Sequence, residues 1–235
     1  ALGSNVDAGS PSPYTHVITE VNSASGNAFT SGTLNPFMSF SLEDFKKGAA
    51  TGQNFVRTIN GCTVNSLSLN GTQGEILTCE LNYVAQNVSF SSGAQSALTE
   101  DTARPFLWKD CLLHIPSGTV YEEMKSFGFT VSNNVEAPHY LNGSEVISVP
   151  VPLNRDYSFN VTFDATSERS KTLWDSYFIG GSTFNMMLVV NASTGSRDAF
   201  FIFSGCKMTD MEMPSPAEGV NEVSCTIQPQ NCRIN

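Results

Sequence analysis

His16, His114 and His139 are the chain's only histidines, and they sit on separate segments. No histidine has a second one near it in sequence, so no histidine-based metal-ligand motif forms. They read as surface or internally hydrogen-bonded side chains. The carboxylates that stand together, Glu43-Asp44 and Glu122-Glu123, are immediate neighbours. Neighbours on a strand point to opposite faces and seldom share acid–base work. The chain has no HExxH, GxSxG or CxxC and no glycine-rich phosphate loop. The expectation is no catalytic residue, no cofactor and no metal, so not an enzyme.

The six cysteines are the remaining reactive groups. Cys62 and Cys79 fall on facing strands of one predicted hairpin, and Cys206 and Cys225 repeat the arrangement. A turn centred near residue 72 sets Cys62 opposite about residue 82, offset from Cys79, while a bridge needs Cα atoms within about 7 Å. Two readings stand: a pair of hairpin disulfides, or buried thiols packing as small apolar groups. Cys111 and Cys232 have no evident partner.

The elements that would position these residues are mostly strands. Short apolar runs bounded by Gly, Asn, Ser and Pro predict strands over 14–19, 37–42, 55–59, 62–69, 75–89, 106–115, 124–132, 145–151, 157–163, 183–190, 199–203, 206–213 and 221–227. Leu77, Cys79, Leu81 and Tyr83 alternate with polar residues, the period of a half-buried strand. One segment breaks the pattern. Leu173 and Tyr177, and Trp174 and Phe178, are spaced i, i+4, which predicts a helix over 167–178 capped by Thr166-Ser167 and ended by Gly180-Gly181.

Two stretches of this strand-rich chain match each other. Residues 36–69 lie over 180–213 without a gap, at an offset of 144. Phe40 falls on Phe184, Leu42 on Met186, Ile59 on Phe203, and Gly61-Cys62 on Gly205-Cys206. A turn two residues longer in the second stretch then sets residues 77–81 on 223–227, and Cys79 on Cys225. Apolar positions match apolar ones throughout, the mark of a duplicated β-unit. The polar stretch before Pro105 is the best boundary, giving a first domain at 1–90, a linker at 91–105 and a second domain at 106–235. The first domain is read as lacking N-terminal strands and a helix, by divergence or because the native chain extends upstream of Ala1.

Only 14% of residues are charged, whereas Ser and Thr number 49 and Asn 20, so the surface is polar but sparsely charged. The net charge of −10 argues against a phosphate-binding surface, which needs Lys and Arg to displace counterions. No run approaches the roughly 18–20 apolar residues that span a bilayer, and no signal peptide is visible at the start.

The run GCTVNSLSLNGTQGEILTCELNYVAQNV (residues 61–88) resembles the tail tube, or major tail, proteins of long-tailed phages and related viruses. Residues 126–178 resemble a second part of that family: a strand ending in an Asn-Asn-x-Glu turn, further strands, then a helix with a Gly-Gly exit. The resemblance implies an all-β fold with one short helix, built as tandem tail-tube-type β-sandwich or barrel domains. It implies a structural virion protein, assembled in the host cytoplasm, that polymerises as stacked rings into the tail tube and forms the conduit for the genome. Two fused domains imply a ring of three chains with pseudo-six-fold symmetry, in contact with other tail proteins, passing DNA without binding it. On that resemblance, acidic residues at alternate strand positions face the lumen, with Glu75, Glu80, Asp210, Glu212 and Glu222 as candidates. The competing expectation is a secreted β-sandwich that binds carbohydrate or adheres.

Overall fold

The computed structural model describes residues 3–8, 15–20, 39–47, 54–93, 104–116, 118–139, 146–147, 150–165, 168–191, 198–213 and 221–234. The predicted flexible stretch at 22–35, the cap residues Thr166-Ser167 and residues 94–103 of the predicted linker lie outside them.

The strands are β1 Gly3–Ala8, β2 Thr15–Glu20, β3 Phe40–Lys46, β4 Phe55–Thr72, β5 Thr78–Val84 and β6 Asn87–Ser91. They continue as β7 Cys111–His114, β8 Val120–Tyr121, β9 Met124–Ser132, β10 Val135–Glu136, β11 Val151–Pro152 and β12 Asp156–Asp164. After the helix come β13 Phe184–Asn191, β14 Asp198–Glu212, β15 Glu222–Gln228 and β16 Asn231–Ile234. The helix α1 begins at Glu168–Thr172 and widens into a π-helical turn over Leu173–Ile179, close to the expected span. Its i, i+4 stripe packs as the spacing predicts. Leu173 is buried, Trp174 meets Phe178 at 5.1 Å, and Tyr177 meets Phe184 at 4.6 Å. Gly181, at φ 63°, supplies the left-handed exit that glycine adopts without strain.

Two long strands carry the design. Residues 55–60 of β4 pair with β3 and β6, whereas residues 63–72 pair with β5 and β9. Gly61, at φ 64°, marks the crossing from one sheet to the other. β14 repeats this: its first part pairs with β13 and β16, its last part with β15, and Gly205 at φ 61° marks the crossing. Each pair of strands expected at these places is therefore one bent strand. Conversely, the single strand expected over 75–89 divides into β5 and β6, because Gln86 N–H turns to donate to Asn60 O beside the crossing. The expected strand at 106–115 is shortened. The Asp110 carboxylate accepts from Leu107 N–H at 2.8 Å and folds Trp108–Asp110 into a 3₁₀ turn before β7.

The repeat is more regular than the sequence implies. Phe40–Cys62 and Phe184–Cys206 are register partners, as are Val64–Tyr83 and Met208–Ile227, or Leu67–Leu81 and Met211–Cys225. The return strands obey the same offset, with Asn60–Asn87 matching Ser204–Asn231. The turn is therefore not longer in the second unit, and the counterpart of Cys225 is Leu81, not Cys79.

One face of the sheet β5-β4-β9-β12-β15-β14 closes over the core. Phe129, Phe159, Phe163 and Phe203 are fully buried there, with Phe129 edge-on to Phe203 at 4.8 Å. Each such ring removes enough apolar surface from water to stabilise the fold by roughly 2–3 kcal/mol.

Candidate functional site

The other face of the same sheet is almost wholly hydrogen-bonding. Because cross-strand partners share a face, the register assigns it residue by residue. Ser68 lies between Glu80 and Thr130, Ser66 between Asn82 and Ser132, and Asn70 between Thr78 and Gly128. Across β9 and β12 the partners are Thr130–Ser158, Gly128–Asn160 and Ser126–Thr162. β15 and β14 complete the rows with Asn160–Thr226–Asp210 and Thr162–Ser224–Glu212. Short side-chain bonds stitch the strands: Ser68 Oγ to Thr130 Oγ1 at 3.2 Å, Asn82 Nδ2 to Ser66 Oγ at 3.1 Å, and Thr226 Oγ1 to Asn160 Oδ1 at 3.0 Å. β9 and β12 alternate strictly, so Phe127, Phe129, Val131, Phe159, Val161 and Phe163 fill the core while their polar neighbours line this surface.

Four of the five candidate acidic residues fall on this face: Glu80, Asp210, Glu212 and Glu222. Glu75 does not. It lies in the β4–β5 turn, where its N–H donates to Thr72 O at 3.0 Å. The register adds Asp156 and Asp164, which β12's alternation already signalled through their phase with Ser158, Asn160 and Thr162. Lys125, at the bulge in β9, reaches Asp164 at 2.6 Å and Glu222 at 2.7 Å. The hydrogen bonds it donates to Asp164 and then Glu222 raise its pKa. Lys207 stands beside Gln228 at the β14 end of the face. Among the described residues the face thus carries six carboxylates against two lysines.

The cysteines take no part in it. Cys79 is opposite Leu69, far along the hairpin from Cys62, and Cys225 is opposite Met211 rather than near Cys206. All six thiols are free, and five are buried. The register accounts for both: neither hairpin pair is brought within bridging reach. Burial holds the Cys206 thiol, and burial with the nearby Asp210 charge the Cys225 thiol, at a pKa of about 12. They pack as small apolar groups. Among the described residues no group of three or more His, Cys, Asp and Glu side chains is arranged to hold a metal ion.

The two halves of the sheet join at β4 and β9, and the Asn-Asn-x-Glu turn bolts that seam. Asn133, buried at 1% exposure, donates from Nδ2 to Val64 O at 2.9 Å and accepts at Oδ1 from Arg155 Nε at 2.9 Å. Asn65 answers from β4, its Oδ1 accepting from Val135 N–H at 2.9 Å.

A β-sandwich with a two-faced sheet, apolar inside and acidic-polar outside, is built for architecture. The chain belongs to the phage tail tube protein family, whose model matches residues 19–224. It is a structural protein of the virion tail. Solved structures that the chain matches include the SPP1 tail tube, at 13% identity and a TM-score of 0.42, covering 53% of this chain and 74% of that one. Another is the virion of a native gene transfer agent particle, at 11% identity and a TM-score of 0.36, covering 52% and 91% respectively. A third is the tail of an empty gene transfer agent particle, at 12% identity and a TM-score of 0.36, with the same coverage. No curated protein matches the chain. The family match leaves the carbohydrate-binding reading without support. Among the described residues no helix is long and apolar enough to cross a membrane.

Proposed function

We propose that copies of this chain close side by side into rings, that the rings stack into the tail tube, and that the polar sheet face lines the bore. The carrying observation is the surplus of carboxylates on a face otherwise made of hydroxyl and amide groups. Such a wall hydrates well, offers DNA few cations and repels its phosphates over roughly a Debye length, about 8–10 Å at physiological salt. The protein's work is then mechanical and electrostatic, with no catalytic step. The repeated strand units act as two fused tube domains, so that three chains supply six equivalent positions around the ring.

Cryo-electron microscopy of tubes formed by the purified protein tests this directly. The expected map has stacked rings with Ser68, Thr130, Asn160 and Thr226 facing the channel. A tube that turns this face outward, or three-fold rings without a six-fold-like repeat, sinks the corresponding part of the proposal.

A further inference from the structure

The six-stranded sheet ends in two open edges. β5 pairs only with β4, and the last part of β14 pairs only with β15, among the described residues. Open edges of this length invite another chain. The repeat says what should lie there. In the second unit β15 is followed outward by β12 and then β9, whereas β5, the counterpart of β15, has no neighbour on that side among the described residues.

The β1–β2 hairpin has the matching construction. Shifted by 144, β2 falls on residues 159–164 of β12, and its register with β1 copies that of β12 with β9. Val6–Val17 takes the place of Phe127–Val161, Asn5–Ile18 of Ser126–Thr162, and Asp7–His16 of Gly128–Asn160. The difference is a far shorter connection between the two strands. By this register β1 and β2 stand in the first unit where β9 and β12 stand in the second.

Its position completes the argument. The hairpin lies at the β14–β16 end of the chain, held to β16 by the single register pair Ile18–Ile234, whereas β12 is joined to β15 by six. That end meets β5 of the next copy in a closed ring. Every pairing in the six-stranded sheet is antiparallel, so only an even number of inserted strands keeps the alternation between β14 and the next β5. A hairpin meets that condition. The apolar side of β5 also awaits cover: Leu81 and Tyr83 are 41% and 37% exposed, whereas their counterparts Cys225 and Ile227 are 3% and 0% exposed.

Resting on the ring reading above, we infer that the β1–β2 hairpin of one copy pairs through β2 with the open edge of β5 in a second copy. The register carried over from β12–β15 sets Val17 opposite Leu81 and Thr19 opposite Cys79. The hairpin is then the strap that links neighbours, and each chain contributes eight strands to the bore.

Cys79 is the exposed thiol, which makes the test specific. Assembled Thr19→Cys protein is treated with copper phenanthroline and resolved without reductant. The expected result is a ladder of covalent oligomers joined by a 19–79 disulfide in peptide mass spectra, abolished by adding Cys79→Ser. Rings that form without this bond, or with it only inside single chains, overturn the inference while leaving the ring reading intact. Absence of rings from the unmutated protein overturns both. A measurement free of mutation runs beside it: maleimide labelling of Cys79 is expected to be at least about tenfold slower in tubes than in the unassembled chain. Equal rates overturn the strap.

Discussion

A Cβ added to Gly61 would run into Gln86 Oε1, and one added to Gly205 would run into Gln230 Oε1. Both glycines have φ near +60°, and both glutamines donate from N–H to the residue before the glycine, Asn60 or Ser204. The Gly-Cys step is thus a hinge: glycine turns the strand between sheets, and a fully buried cysteine fills the space behind it.

Gly205→Ala is expected to destabilise the chain by roughly 1–3 kcal/mol from the backbone alone, with the Gln230 contact in addition. Gly74 also has positive φ, at 87°, but nothing lies within 4 Å of an added Cβ, so Gly74→Ala isolates the backbone cost. Urea midpoints compare the two. Adding Gln230→Ala to Gly205→Ala should close the gap between them. If Gly205→Ala costs no more than Gly74→Ala, the side-chain contact has no energetic weight.

The Gly-Cys step stands out in the sequence because it is repeated at one offset. Its role as a hinge inside one strand does not, since the apolar runs on either side read as separate strands. The helix stripe was readable because aromatic pairs at i, i+4 have no strand explanation. Matching Cys79 to Cys225 follows residue identity against the phase of the strand. Setting Cys79 on Cys225 required a two-residue gap, whereas the unbroken offset puts Leu81 on Cys225 and Tyr83 on Ile227, apolar on apolar. Asp156 and Asp164 were missed although their alternation with Tyr157, Phe159, Val161 and Phe163 places them on the polar face. The exposure of Leu81 and Cys79 was beyond reach of pattern alone, since it depends on what is packed against β5.

Arg104 and Asp110 form a forked ion pair, with distances of 2.6 and 2.9 Å, under a carboxylate only 2% exposed. Hydrogen bonding to Arg104 holds the Asp110 pKa at about 2 despite burial. A carboxylate with a lowered folded pKa stabilises the fold at pH above its unfolded value, near 3.9. That stability is lost as pH falls from about 4 through 2, and amounts to at most about 2.5 kcal/mol. Asp110→Asn should lower stability at pH 7 and flatten its decline in this window. Thermal melts at pH 7, 4, 3 and 2 check it. A variant whose melting falls with acid as steeply as the parent's would assign the acid sensitivity elsewhere.

Thiol labelling separates exposed from buried cysteines. Burial, with the Asp110 charge, pushes the Cys111 thiol up to about 12, and burial also raises Cys62. Thiolates are the reactive species, so at pH 8 Cys111 reacts about a thousandfold or more slowly than an ordinary thiol, and burial slows Cys62 as well. The unassembled native chain should take one maleimide, at Cys79, and the denatured chain six. Intact-mass spectrometry reads both numbers. Rapid labelling at Cys206 or Cys225 would contradict the packed core.

The seam between β4 and β9 depends on Asn133. Asn133→Ala leaves Val64 O without that donor in a buried setting and removes the Oδ1 acceptor from half-buried Arg155. The expected loss is about 2–3 kcal/mol. Asn133→Asp should cost at least as much, since a carboxylate oxygen would face the Val64 carbonyl it replaces a donor to. Because the seam joins the halves of the sheet, both variants should expose amides of β4 and β9 together in hydrogen exchange. Protection lost on one strand alone would deny the turn its role.

A charge reversal on the polar face tests whether its carboxylates keep DNA from adhering. Glu80 and Glu212 are exposed strand positions on that face, and neither has a role in the core. Replacing both by lysine leaves the apolar face and the register untouched, so tubes should still assemble. Six carboxylates and two lysines per chain become four and four, which removes the excess that repels phosphate. Tubes of the double variant should retain duplex DNA at low salt and release it as salt rises, the signature of counterion-mediated contact. Parent tubes should retain none under either condition. Virions carrying the variant should then eject DNA more slowly than the parent. If variant and parent tubes hold DNA equally little, this face is not the wall the genome passes.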